Sequence, residues 1–152
     1  MKKLSMIIVI MCIMISPMMQ LQAQGVAKDD VVAIWINEQT KDTLEIYKVG
    51  DKFFAKIVEL KQPIDPETGK PYLDKNNPDP EQAKLPLKGL TFVNDCVFDG
   101  NVWKDGSIYD YESTGKTRKC IMKFPDVNNL ERLRVTTVLP LFNKTSYWTK
   151  KK

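Results

Sequence analysis

Three carboxylates, Asp79, Asp105 and Asp110, are the side chains in this sequence best suited to acid–base work. A pair of carboxylates facing one another across a cleft is the minimum for glycoside hydrolysis. Sequence spacing does not decide whether any two of them face each other, so no catalytic residue is assigned. Other chemistries are poorer still. The chain has no histidine, which removes Ser-His-Asp and Cys-His catalysis and histidine-bound zinc or haem. Its cysteines, Cys12, Cys96 and Cys120, lack the Cys-x-x-Cys spacing of a redox pair. The seven glycines are scattered at turns and form no phosphate-cradling loop.

Asp74, Asn76, Asn77, Asp79 and Glu81 form a cluster of hard oxygen ligands of the kind calcium prefers. An EF-hand loop needs glycine at its sixth position, and counting from Asp74 that position is Asp79. Lys70, Lys75 and Lys84 dilute the charge. The cluster reads instead as Asx-type capping of nearby backbone N–H groups. No metal and no cofactor are expected. What remains is binding. Tyr47, Phe54, Trp103, Tyr109 and Tyr147 are candidate liners of a ligand cavity, against the alternative that strand aromatics are core.

The elements that would position these residues are strands. Short β-favouring runs recur at 31–37, 42–49, 52–60, 90–98, 102–111, 116–124, 130–138 and 144–149. Turn residues separate most of them, as in the Gly50-Asp51 reversal between the second and third. In "DTLEIYKV", Leu44 and Ile46 alternate with Thr43, Glu45 and Tyr47. Eight antiparallel strands predict a closed barrel, because an open sheet of that length exposes two edges. A sandwich is the alternative. An eight-stranded barrel is either filled by side chains or holds one small ligand.

One connection is long. Residues 61–88 carry six of the nine prolines: Pro63, Pro66, Pro71, Pro78, Pro80 and Pro86. Each fixes its own φ and restricts the residue before it, which lowers the entropy lost on ordering. Ile64, Tyr72, Leu73, Leu85 and Leu87 let the segment pack against the body. The expectation is an ordered strap over residues 74–89, with Asp79 satisfying backbone donors.

The chain starts with Lys2 and Lys3, an uncharged apolar run from Leu4 to Ile15, a break at Pro17 and a small residue, Ala23. That layout predicts a secretory signal peptide over residues 1–23 and a single domain over 24–152. The run is shorter than the ~20 residues a spanning helix needs, so no stable membrane span is expected after cleavage. With Lys2 and Lys3 gone, 21 basic residues face 19 acidic ones. Such a balance gives no reason to expect nucleic acid. Export to the periplasm or beyond the cell invites a disulfide between Cys96 and Cys120. One whole strand lies between them, a separation of about 9–10 Å that exceeds disulfide reach. Two reduced, partly buried thiols are the competing reading.

Taken in order, "DDVVAIW", "IYKVGDKFFAKIVEL", "KNNPDP", "PLKGL", "GSIYDYESTGK" and "TSYWTK" resemble the bacterial secreted family called domain of unknown function 2147. The likeness runs from about Asp29 to Lys150 and rests on order and spacing rather than on one motif. It implies a lipocalin-like, calycin-type barrel and no established activity. The family's Asn-Pro-Asp-Pro element falls on Asn77, Pro78, Asp79 and Pro80. Its Pro-Leu-x-Gly-Leu element falls on Pro86, Leu87, Gly89 and Leu90. Its Trp-x-x-Gly-x-Ile-Tyr-Asp element falls on Trp103, Gly106, Ile108, Tyr109 and Asp110, and its final Trp is Trp148. The chain departs from the pattern at Ala33-Ile34-Trp35, at Tyr111, near Arg134–Thr137 and at Trp148-Thr149-Lys150. The resemblance further implies that Trp35 plugs one barrel end beneath a cation, Arg134 or Lys150. The expected function is binding of a small apolar or amphipathic ligand, or of an envelope component. The alternatives are a solid barrel that docks an envelope protein and, behind it, a carboxylate-based hydrolase.

Overall fold

The computed structural model describes residues 25–152; residues 1–24, and with them the expected signal segment and Cys12, lie outside the described residues. Eight strands, β1 (Ala33–Asn37), β2 (Thr43–Val49), β3 (Lys52–Glu59), β4 (Thr91–Asp99), β5 (Val102–Tyr109), β6 (Thr117–Lys123), β7 (Arg132–Val138) and β8 (Asn143–Lys150), follow one another round a closed barrel. Every neighbour is antiparallel. The barrel closes by pairing Trp35 with Lys150, Ile36 with Thr149 and Asn37 with Trp148. Closure leaves no sheet edge exposed, and among the described residues no second sheet faces the first, so the sandwich is not the fold. The first strand starts at Ala33 rather than at residue 31. Val31 instead sits buried in a turn whose carbonyl accepts the Trp35 indole N–H at 2.9 Å.

Alternation along each strand decides what faces inward. Leu44 and Ile46 on β2, and Phe53, Ala55 and Ile57 on β3, are all buried. On β4 and β5 the alternation breaks. Asp95 and Asp105 take positive φ, 59° and 61°, where the β3–β4 and β5–β6 registers slip. Each inserts an extra residue and bends its strand. Cys96 and Gly106 are thereby returned to the interior, three residues beyond Val93 and Trp103.

Gly106 has no room for a side chain. A Cβ there would lie 2.4 Å from the Cys96 sulfur and 2.5 Å from the Asn94 carbonyl. Because Gly106 pairs with Cys120, the missing side chain lets both cysteines reach the same spot from strands that are not hydrogen-bonded to each other. Both are free, fully buried thiols rather than partly buried ones. The adjacent Cys96 thiol, together with burial, holds the Cys120 thiol protonated far above its ordinary range.

Aromatic packing seals one end of the barrel. Phe53, Phe98 and Phe124 lie with ring centroids 6.2, 4.9 and 5.6 Å from that of Trp103, and Phe124 also meets Trp35 at 6.3 Å. Each large ring buried here contributes about 1.5–3 kcal/mol relative to exposure. The segment before β1 covers this end, with the Trp103 indole N–H donating to the Lys28 carbonyl at 3.1 Å. The Lys150 ammonium stands 5.4 Å from the Trp35 ring centroid. Arg134 is elsewhere, between Lys123 and Tyr147 in register, with its Nε buried and unpartnered.

Residues 60–90 cross the other end between β3 and β4. Two isolated bridges, Ile64 with Pro71 and Leu73 with Pro86, and a short 3-10 turn at Gln82–Lys84 shape this segment. It rejoins the barrel where Gly89 N–H donates to the Ile57 carbonyl and Ile57 N–H to the Leu90 carbonyl. Among the described residues no helix is long and apolar enough to cross a membrane.

Candidate functional site

The end opposite the aromatic seal opens into a cavity of about 300 Å³. Its wall is built by inward positions of β4, β5, β7 and β8: Phe92, Ile108, Val135 and Trp148, completed by Tyr111 just beyond β5. Phe92 packs edge-on to Tyr111 at 5.4 Å and tilted against Trp148 at 5.8 Å. The Trp148 indole N–H donates to the Ser146 hydroxyl at 3.1 Å, so its polar atom is occupied within the wall. Above the aromatics stands a charged rim of Asp110, Glu112, Arg118 and Lys144. Phe142, 68% exposed, reaches over the mouth from the β7–β8 turn, beside Leu141 at 94%.

A fastening runs from residues 74–77 to the strands beneath. Asp74 is only 2% exposed. One of its carboxylate oxygens accepts the Tyr109 hydroxyl at 2.8 Å and the other the Asn77 amide at 2.7 Å. Burial, then the hydrogen bond to Asp74, hold the Tyr109 phenol neutral well above its usual range. Asn76 donates to the Tyr111 carbonyl at 2.8 Å. Its own carbonyl lies where Gly115 would carry a Cβ, and Gly115 has a φ of 61°, so only glycine fits that turn. A second, more open cleft of about 550 Å³ lies alongside, and Asp42, Leu60, Tyr72, Leu87, Tyr111 and Glu112 are among its lining.

The candidate liners fall in three places. Tyr109 lines the cavity. Trp103 points inward but is wholly buried in the aromatic seal. Tyr47, Phe54 and Tyr147 are on the outer face, because each follows an inward residue by one. Tyr47 stacks on Phe54 at 5.5 Å, and Tyr147 lies 3.9 Å beneath the Arg132 guanidinium, which itself grips Glu38. These three do not line the barrel interior, contrary to expectation, because strand parity turns them outward.

The carboxylates do not assemble. Asp79 is exposed, and its Oδ1 accepts the Glu81 N–H at 2.9 Å while Asn77 Oδ1 accepts the Asp79 N–H at 3.0 Å. Asp105 is exposed at its bulge. Asp110 spends both oxygens on the Ser113 and Thr114 hydroxyls and amides. Those contacts outweigh its burial and hold its carboxyl below the usual range. Pro78, Pro80, Pro86 and Gly89 lie on the exposed side of the 60–90 segment. No group of three or more metal-ligating side chains occurs among the described residues.

Phe92, Arg118, Val135 and Lys144 are cavity residues that motif reading passed over, and Trp148 was named as a motif position but not as a liner. Their signal was parity: in "TRKCIMK", Arg118 alternates with the buried Cys120 and Met122.

No curated protein matches the sequence. The fold is similar to that of a Helicobacter pylori protein, HP1028, described as belonging to the lipocalin family; the TM-score is 0.64 at 22% identity, over 80% of this chain and 83% of that one. Together with the closed antiparallel barrel, a family-model match across residues 33–150 shows that this chain belongs to DUF2147, a family described as uncharacterized protein conserved in bacteria.

Proposed function

We propose that this protein is an exported carrier or sensor that holds one small apolar or amphipathic molecule in the mouth cavity. The observation that carries this reading is the cavity itself: about 300 Å³, walled by Phe92, Val135, Tyr111 and Trp148 beneath a charged rim. Ligand sites in proteins have this make-up, a mostly apolar wall with a few polar groups that orient the guest. The likeness to a lipocalin-family barrel supports the same reading through the fold. The basic, apolar and small-residue order of residues 1–23 supports the export part of this reading. A barrel filled to both ends would serve a protein partner instead, and the open half-barrel favours the small guest.

Native mass spectrometry of the protein purified gently from its own host's envelope tests this, with a denatured control. The expected result is an added mass of small-molecule size that disappears on denaturation. A clean ligand-free mass from well-folded protein, with a second protein co-purifying, would overturn it in favour of the docking barrel.

A further inference from the structure

Four charged side chains line the mouth cavity, and three of them are already engaged. Asp110 is held by Ser113 and Thr114, with hydroxyl contacts of 2.8 and 2.7 Å. Glu112 faces Lys144 at 3.9 Å. Arg118 is half-buried on β6, two residues nearer the mouth than Cys120, and makes no hydrogen bond or ion pair with any described residue. It pairs in register with Ile108, so its guanidinium rises from an apolar stretch of wall.

An unpaired guanidinium in such a place discriminates between guests. A purely apolar guest filling the cavity strips water from Arg118 and returns nothing for it, and an alcohol returns at most one neutral hydrogen bond. A carboxylate replaces that water with charge-assisted hydrogen bonds, and the planar fork of arginine suits a bidentate carboxylate. Size bounds the rest of the guest. An apolar cavity of ~150 Å³ accommodates benzene, so about 300 Å³ accommodates roughly a dozen non-hydrogen atoms on the same scale. An unbranched carboxylic acid of about ten carbons has that size. We infer that the cavity selects a medium-chain monocarboxylate, with its head on Arg118 and its tail against Phe92, Val135 and Trp148. This rests on the proposed ligand-binding function and specifies its ligand class.

The test compares decanoate with decanol, equal in chain and different in charge, on the full chain. Binding is read by calorimetry and by Trp fluorescence, to which Trp148 contributes from the cavity wall. Decanoate is expected to bind at least about tenfold more tightly than decanol. Arg118→Gln is expected to weaken decanoate by about ten- to a hundredfold and to change decanol far less. Arg118→Lys, which keeps the charge without the fork, is expected to fall between. Equal binding of acid and alcohol to the unaltered protein overturns the anion preference while leaving the cavity reading standing, and it needs no variant to fold. Preferential decanoate binding that Arg118→Gln leaves untouched places the anion elsewhere and overturns the role of Arg118. Failure of both probes to bind overturns this inference, and the fate of the ligand-binding reading then rests on the native-mass experiment.

Discussion

Replacing Tyr109 with Phe removes one hydroxyl and tests how residues 74–77 are fastened over the barrel. That hydroxyl donates at 2.8 Å to Asp74, a carboxylate 2% exposed whose other oxygen is taken by Asn77. A hydrogen bond to a charged group contributes about 1.5–3 kcal/mol, and losing it leaves a buried oxygen without its donor. Tyr109→Phe is therefore expected to cost about 2 kcal/mol. Asp74→Ala strands the Tyr109 hydroxyl and the Asn77 amide together and is expected to cost more. If the two side chains stabilise the fold through each other, the double variant costs less than the sum, by about 1–2 kcal/mol. Urea unfolding of the four proteins, followed by Trp fluorescence at a common m-value, measures this coupling. Hydrogen exchange gives an independent reading. The amides of Asp74 and Leu87, bonded to the Leu85 and Tyr72 carbonyls, should exchange faster in Tyr109→Phe while amides paired between barrel strands change little. Single costs that add to within about 0.5 kcal/mol, or exchange that rises evenly through barrel and strap alike, would refute the fastening.

Gly106→Ala brings a Cβ to 2.4 Å from the Cys96 sulfur and 2.5 Å from the Asn94 carbonyl; overpacking against fixed backbone predicts a loss of about 3 kcal/mol, read as an earlier urea midpoint. Cys96 and Cys120, both buried, should resist a thiol-specific reagent in the native protein and react at once in urea; prompt native labelling of either would contradict the packing. Stability should fall as pH rises above about 10. Burial raises the Tyr111 phenol above the ordinary tyrosine value of 10.0, and nearby carboxylates push it the same way. The unfolded chain therefore releases that proton first, and the stabilisation, complete below the unfolded value, drains away as pH climbs toward the folded one. Tyr111→Phe should flatten that alkaline limb, measured as urea midpoint against pH.

The candidate site was legible in part, and the parts it missed share one cause. The residues in "DTLEIYKV" already state that Leu44 and Ile46 face one way and Tyr47 the other. Choosing liners by aromatic character set that parity aside and put Tyr47, Phe54 and Tyr147 on the wrong face. The same parity, read through "TRKCIMK", points Arg118 inward with Cys120 and Met122. Across β4 and β5, however, parity itself fails. The Asp95 and Asp105 bulges shift the inward set by one residue, and neither is announced by glycine, the usual occupant of a positive φ.

Sequence alone determined that the chain is all-β with eight strands, because period-two alternation and turn residues are local properties of neighbouring positions. The resemblance to lipocalin-like barrels implied Trp35 beneath one of two cations. Only the tertiary structure decided which, since Lys150 is brought there by the β1–β8 closure and Arg134 is not. It likewise decided that two cysteines on non-adjacent strands share one spot above Gly106, and that an arginine on β6 has no partner among the described residues beside a cavity walled from four other strands. Those facts depend on contacts between residues far apart in the chain. Barrel closure and the two bulges set such contacts, and no local pattern records them.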